Sequence, residues 1–111
     1  SFLISPGAYL KRNFGVKKIV LQTSHRTLKS NKLIDGSYFE DHRVEYNKIL
    51  KSVSRNKKTF LLDIEEEFAK IDESKYSQYL LGGNDLLHLS VLGHQYYSEC
   101  VVRFINESNI L

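Results

Sequence analysis

Two short apolar runs, each preceded by lysines, stand out in the pattern of hydrophobic and polar positions. The first is residues 19–21 within "VKKIVLQT", and the second is residues 60–62 within "KKTFLLDI". Both runs are too short for a helix and contain β-branched or aromatic residues, which is typical of strands covered on both faces. The pattern therefore predicts two buried strands.

Apolar residues at helical spacing follow the predicted strands. "SYFE" at residues 37–40 fits a capping box, in which the Ser37 hydroxyl accepts from a helix amide and Glu40 reaches back to the Ser37 amide. The helix it opens runs to about Ser54, and Ser90 fits the N-cap of a last helix. The apolar residues expected along one side are Phe39, Tyr46, Ile49, Leu50 and Val53 in the first helix and Leu92, Tyr96, Cys100 and Phe104 in the last.

The stretches between these elements lack such spacing. We expect a helical turn closed by Gly15, a polar loop from Ser24 to Gly36, and a mixture of short helix and loop over residues 65–85. Strands separated by helices predict an α/β fold with a parallel sheet and right-handed crossovers. Two parallel strands do not make an independent sheet. Residues 1–111 are therefore interpreted as the C-terminal portion of one doubly wound, flavodoxin-like domain with three α/β/α layers.

Charge is distributed unevenly along the chain. Residues 1–60 carry 13 Lys or Arg against 4 Asp or Glu, whereas residues 61–111 carry 3 against 9. The lysines are not interleaved with aromatic residues as base-stacking surfaces require, so nucleic-acid binding is not expected. Compensation between the two halves is the interpretation that we favour.

Two further features limit the possible functions. No apolar run is long enough to cross a bilayer, so no membrane span is expected. Cys100, the single cysteine, lies among apolar neighbours in "YYSECVVRF". Because a catalytic thiol needs an electropositive, partly exposed setting, Cys100 is interpreted as a buried structural residue.

Candidate chemistry is concentrated in "DLLHLSVLGHQYY", where Asp85 precedes His88 by three residues, just ahead of the last predicted helix. In open α/β sheets, ligands gather outside the carboxyl ends of the strands, and the loop after the second strand would deliver this pair there. An imidazole can take and return a proton near neutral pH. A carboxylate bonded to its other ring nitrogen fixes the tautomer and stabilises the imidazolium. Asp85 and His88 are therefore the predicted catalytic residues.

The same block resembles the C-terminal block of the SGNH, or GDSL-type, hydrolases, in which D-x-x-H opens the last helix and a Gly-His pair follows. The resemblance extends over "YNKILKSVSRNKKTFLLDI" and covers roughly Val16 to Phe104. It implies a Ser-His-Asp triad in which His88 is the general base and Asp85 orients it. It also implies that Ser90 caps the helix and that Gly93 is a close-packing position. No cofactor or metal is implied.

The sequence departs from the family pattern in the groups that attack and stabilise the ester. It contains no Gly-Asp-Ser segment to supply the nucleophile, nor the blocks that build an oxyanion hole. "GGND", residues 82–85, superficially resembles one such block, but Asp85 is better used by the D-x-x-H spacing, and Asn84 is not interpreted as an oxyanion donor. The expectation is a carboxylic-ester hydrolase that is inactive without an N-terminal half. Its expected substrate is a small acyl ester or an O-acetylated carbohydrate.

Several alternatives remain open at this point. An O-acyltransferase would use the same triad with a different acceptor, and a non-catalytic α/β interaction module would use Asp85 only to order a loop. A metal site would recruit Asp85, His88 and His94, which the predicted helix start separates, so no metal is expected. The remaining polar residues in question are assigned structural or surface roles: His94 and Asp63 order their surroundings locally, His25 and His42 lie on the surface, and the acidic run 63–68 is a solvated helix face.

Overall fold

The computed structural model describes residues 12–13, 15–28, 32–55 and 59–110. Strands β1 (Ile19–Gln22) and β2 (Thr59–Leu62) pair in parallel, with Ile19 opposite Thr59 and Gln22 opposite Leu62. The positions of both predicted strands and their parallel direction are therefore confirmed, but β1 is not buried among the described residues, since Val20 is 42% exposed. The predicted turn before Gly15 lies mostly outside the described residues, of which Arg12 and Asn13 are helical.

A second, antiparallel sheet was not predicted. Strands β3 (Leu80–Gly82) and β4 (Asp85–Leu89) form a hairpin around Gly83 and Asn84. Gly82 and Gly83 have φ angles of 84° and 61°, which glycine adopts without the strain that a β-carbon introduces. Asp85 and His88 therefore lie on a strand, and their prediction as loop residues is wrong.

Helix α1 (Phe39–Val53) forms where it was predicted, but it begins differently. Tyr38 is the N-cap and makes no side-chain cap bond, whereas the Ser37 amide and hydroxyl both donate to Asp35. The carboxylate of Glu40 is bound by the Arg43 guanidinium. The predicted capping box is therefore wrong, because stronger partners engage both of its members.

The buried face of α1 also differs from the predicted apolar face. Arg43 and Asn47 are its buried residues. Tyr46, Ile49 and Val53 are 62%, 58% and 40% exposed. Polar contacts thus hold α1 to the described part of the chain, and most of its apolar stripe faces away from that part.

The core lies between the end of β2 and the last helix. After β2 come helix α2 (Ile64–Ala69), a 3-10 helix (Glu73–Tyr79), the hairpin, and helix α3 (Val91–Ser108). The short helix expected within residues 65–85 is confirmed, whereas residues 80–82 and Asp85 belong to the hairpin that was not predicted. The buried apolar side chains come from all of these segments: Leu62, Ile64, Phe68, Tyr76, Leu80 and Cys100. The fold is mixed α/β, with one parallel and one antiparallel strand pair.

Candidate acid–base site at the start of α3

Asp85 and His88 are bonded to each other at the start of β4. Asp85 Oδ2 lies 2.7 Å from His88 Nδ1, while Asp85 Oδ1 accepts from the amides of Leu87 at 3.1 Å and His88 at 2.9 Å. In a regular strand, side chains three residues apart point to opposite faces. The pairing of β4 with β3 is irregular here, since Leu80 lies opposite Leu89 and Gly82 opposite Asp85, and in this irregular strand the carboxylate and the imidazole meet.

These hydrogen bonds set the charge of Asp85 and the tautomer of His88. The His88 amide, the His88 ring and the Leu87 amide all lower the pKa of Asp85, so its carboxylate stays ionised well into the acid range. A carboxylate only accepts, and Nδ1 of His88 must therefore carry a proton. In the neutral ring the lone pair is then on Nε2. The His88 side chain is 72% exposed, so Nε2 is accessible to a substrate or nucleophile.

The junction with α3 fixes the position of this pair. The Ser90 hydroxyl accepts from the Gly93 amide at 3.1 Å and donates to the Gln78 carbonyl at 2.7 Å, which confirms Ser90 as the N-cap. A β-carbon on Gly93 would lie 2.1 Å from the Tyr79 carbonyl oxygen and 3.1 Å from Leu89. The helix start therefore packs directly against the chain on either side of the hairpin, and Gly93 is confirmed as a close-packing position.

His25 was predicted to be a surface residue, but it is part of this site. Its Nε2 lies 2.8 Å from the Leu87 carbonyl oxygen, and its ring packs against Phe68 with centroids 5.3 Å apart. Burial lowers the pKa of His25 below 6.5; the bond to Leu87 opposes this effect, and the charge of Arg43 adds to it. Because a carbonyl only accepts, Nε2 of His25 carries the proton. No signal in the sequence links His25 to a residue 62 positions away.

A polar cluster behind the site holds the segment that carries His25. The Ser24 carbonyl accepts from Arg43 at 2.8 Å and from Asn47 at 2.9 Å, and Asn47 also accepts from the Ser24 amide. Arg43 and Asn47 in turn donate to Glu65 at 3.0 and 2.8 Å. Asp63, expected to order its surroundings, caps α2 by accepting from the Glu66 amide. In the described part of the chain, every buried side-chain nitrogen or oxygen has a partner.

A serine–histidine contact occurs at the start of α1, where the sequence predicts no chemistry. His42 Nε2 lies 2.7 Å from Ser37 Oγ. The Ser37 hydroxyl donates its only proton to Asp35, so His42 must donate to the serine oxygen. This polarity is opposite to that of a base that removes a serine proton. His42 is exposed, as predicted, and the pair is not a nucleophile–base pair.

Three other residues considered from the sequence are His94, Asn84 and Cys100. His94 is exposed on α3. Asn84 is exposed in the hairpin turn. Cys100 is buried, as predicted, and burial raises the pKa of its thiol. Within residues 12–13, 15–28, 32–55 and 59–110, no group of three or more His, Cys, Asp or Glu is placed to hold a metal ion. None of the helices described in these ranges is long and apolar enough to cross a membrane.

Comparisons with known proteins found no match. No protein-family model matches the sequence, and no curated protein or solved structure matches the chain.

Proposed function

We propose that this chain supplies the general base and its orienting carboxylate to a carboxylic-ester hydrolase of the SGNH type. The observation that carries the proposal is the 2.7 Å contact between Asp85 Oδ2 and His88 Nδ1, with Asp85 Oδ1 bound by two backbone amides. This arrangement leaves Nε2 of an exposed imidazole as the free base. The resemblance of residues 85–94 to the SGNH block assigns the same roles to the same residues.

The proposed reaction uses His88 twice. Nε2 of His88 takes the proton of a serine hydroxyl as the serine oxygen attacks the ester carbonyl, and the ionised Asp85 stabilises the imidazolium. The imidazolium then gives this proton to the departing alcohol, which leaves an acyl-serine. Water, deprotonated by His88, attacks the acyl group, and the proton returns to the serine. Asp85 stays ionised throughout, which its lowered pKa favours.

The serine and the oxyanion hole are proposed to come from chain outside these 111 residues. Two features support a larger, doubly wound sheet with three layers. Among the described residues, β1 pairs only with β2, which leaves its other edge open to a further parallel strand. The exposed apolar stripe of α1 offers surface for the remaining layers. The N-terminal half of the same domain is the proposed partner.

The proposed substrate class is a small acyl ester, including O-acetylated carbohydrate. This class follows the resemblance of residues 85–94 to the SGNH block. Asp85 and His88 themselves are polar, and the His88 ring is largely solvated. Substrate recognition is therefore assigned to the segment that brings the serine.

The test is short-chain ester hydrolysis by the protein with its natural flanking sequence, comparing wild type with His88→Ala. We expect kcat/KM to fall about a thousandfold or more, because the base is lost while the fold is not. His94→Ala is the matched control, since His94 is an exposed histidine of the same block, and it should retain activity within about threefold.

The other outcomes separate the rival functions. Equal activity of wild type and His88→Ala would disprove the triad. Acyl transfer to a sugar hydroxyl without hydrolysis would identify a transferase that uses the same pair. Absence of both activities in the folded wild-type protein would favour a non-catalytic interaction module.

A further inference from the structure

We infer that His25 is a positioning residue for His88, acting through the peptide unit that joins Leu87 to His88. The inference rests on the proposed function and extends it, because it assigns a second histidine, His25, to the positioning of the proposed base, His88. It stands on geometry in the described residues and involves no contact between His25 and substrate.

The Leu87–His88 peptide unit is held at both of its polar ends. Its carbonyl oxygen accepts from His25 Nε2 at 2.8 Å, and its N–H donates to Asp85 Oδ1 at 2.9 Å. A hydrogen bond to the carbonyl polarises the peptide and strengthens donation by its N–H. His25 therefore fixes the plane of the peptide from which the His88 side chain projects, and it reinforces the Asp85 bond that holds the pair together.

His25 is itself held firmly enough to do this. Its ring packs against buried Phe68. The backbone on one side is fixed at Ser24 by the two bonds from Arg43 and Asn47. On the other side, the Arg26 carbonyl accepts from the Tyr76 hydroxyl.

A second bond, from Leu28 to the residue before Leu87, independently fixes the alignment of this segment with β4. The Leu28 amide donates to the Leu86 carbonyl at 3.2 Å, so the segment after β1 contacts β4 at two consecutive carbonyls. Of these two bonds, only the one from His25 reaches the peptide unit of His88. The positioning role is therefore assigned to the His25 side chain and not to the backbone of the segment after β1.

Two substitutions separate the hydrogen bond from the packing. His25→Phe keeps an aromatic ring against Phe68 and removes the donor, whereas His25→Gln loses the ring and keeps an N–H able to reach the Leu87 carbonyl. His42→Phe is the control, because His42 is an exposed histidine that bonds only the Ser37 hydroxyl among the described partners. All variants are made in the protein with its natural flanking sequence, and thermal unfolding checks that each is folded.

The readouts are amide hydrogen exchange at His88, the ring ¹⁵N shifts of His88, and kcat and KM for a short-chain ester. In His25→Phe we expect His88 amide exchange to accelerate about threefold to tenfold, as loss of one neutral hydrogen bond predicts. The neutral His88 ring should lose part of its Nδ1–H tautomer, and kcat should fall about tenfold with KM unchanged. His25→Gln should restore all three, and His42→Phe should alter none.

Unchanged exchange and tautomer in His25→Phe would overturn the inference. Equal damage by His25→Gln and His25→Phe would also overturn it, because it would assign the effect to the ring. If the wild-type protein hydrolyses no ester, the proposed function fails, while the exchange and ring-shift measurements still decide the role of His25.

Discussion

At the scale of single residues, the carboxylate of Asp85 performs two different tasks with its two oxygens. Oδ1 accepts from the backbone amides of Leu87 and His88, and Oδ2 accepts from the His88 ring. An asparagine can perform the first task with its carbonyl oxygen. It cannot perform the second, because its amide group would present a donor to a ring nitrogen that carries a proton.

Substitution of Asp85 by asparagine therefore separates local structure from chemistry. In Asp85→Asn we expect the two amide bonds to persist while kcat falls about a thousandfold to ten-thousandfold, because His88 adopts the other tautomer. Ester hydrolysis measures the loss, and the ring ¹⁵N shifts of His88 report the tautomer directly. A variant with near-normal kcat would show that Asp85 has only a structural role.

At the scale of secondary-structure elements, an element could be predicted where its signal lies within a few consecutive residues. Residues 19–21 and 60–62 were recognised as strands because consecutive apolar residues need cover on both faces. Ser90 was recognised as a cap from its own neighbourhood. The hairpin also has a local signal, since a two-residue Gly-Asn turn between "LLG" and "DLLHL" is a hairpin pattern. The prediction for residues 65–85, a mixture of short helix and loop, does not use this signal.

The parts that could not be predicted depend on contacts between distant residues. Apolar spacing predicted that one stripe of α1 would be buried, but Arg43 and Asn47 are buried instead because Glu65 and the Ser24 carbonyl bind them. Asp85 and His88 were identified from their spacing and the block around them. His25 could not be, because its partner Leu87 is recognisable only in the folded chain.

The junction between the hairpin and α3 gives an element-scale prediction. In Gly93→Ala, the added β-carbon would overlap the Tyr79 carbonyl oxygen, 2.1 Å away, so that the helix start must move from the hairpin. We expect the free energy of unfolding to fall by about 1–3 kcal/mol, measured by urea unfolding. Ester hydrolysis should decrease as well, because the helix start and β4 together position His88.

Val91→Ala is the matched control for this prediction. Val91 lies in the same helical turn and is exposed, and alanine has the higher helix propensity, so we expect a change within about 0.5 kcal/mol. If Gly93→Ala is as mild as Val91→Ala, the helix start tolerates displacement and the close contact is not structurally important.

At the scale of the whole molecule, basic residues of the first half of the sequence form ion pairs with acidic residues of the second half. Arg26 pairs with Glu73, and Arg43 and Lys51 pair with Glu65. The acidic half thus neutralises part of the basic half, as expected from the sequence. Glu65 is central, because it joins α2 to α1 and through Arg43 supports the segment that carries His25.

Glu65 also makes stability depend on pH. Burial alone would raise its pKa, but the hydrogen bonds from Lys51, Asn47 and Arg43 outweigh burial and lower the pKa to about 2. A carboxylate with a lowered pKa in the folded state stabilises the protein above its unfolded pKa, which is 4.5 in the ordinary group. This contribution is lost as the pH falls from about 5 towards 2.

Removal of the charge tests this dependence. We expect Glu65→Gln to lower the free energy of unfolding at pH 7 by about 1–2 kcal/mol, less than the full pKa shift implies because solvent screens a partly exposed group. The difference from wild type should shrink as the pH approaches 3, when measured by denaturant unfolding across this range. Glu66→Gln, an exposed neighbour on α2, is the control, and a constant Glu65→Gln deficit at all pH values would contradict the prediction.

Among the described residues, one edge of β1 has no strand partner, and this has a consequence for solubility. An unpaired edge with exposed apolar side chains can accept a strand from a second molecule as readily as one from its own domain. Val20 is exposed on this strand, and Lys17 and Lys18 stand directly before it. Pairing two such edges side by side in register would bring these lysines close to their counterparts, and repulsion between them opposes it. Charged residues beside an apolar edge strand disfavour such pairing, so replacing Lys17 and Lys18 should make the protein more prone to aggregate.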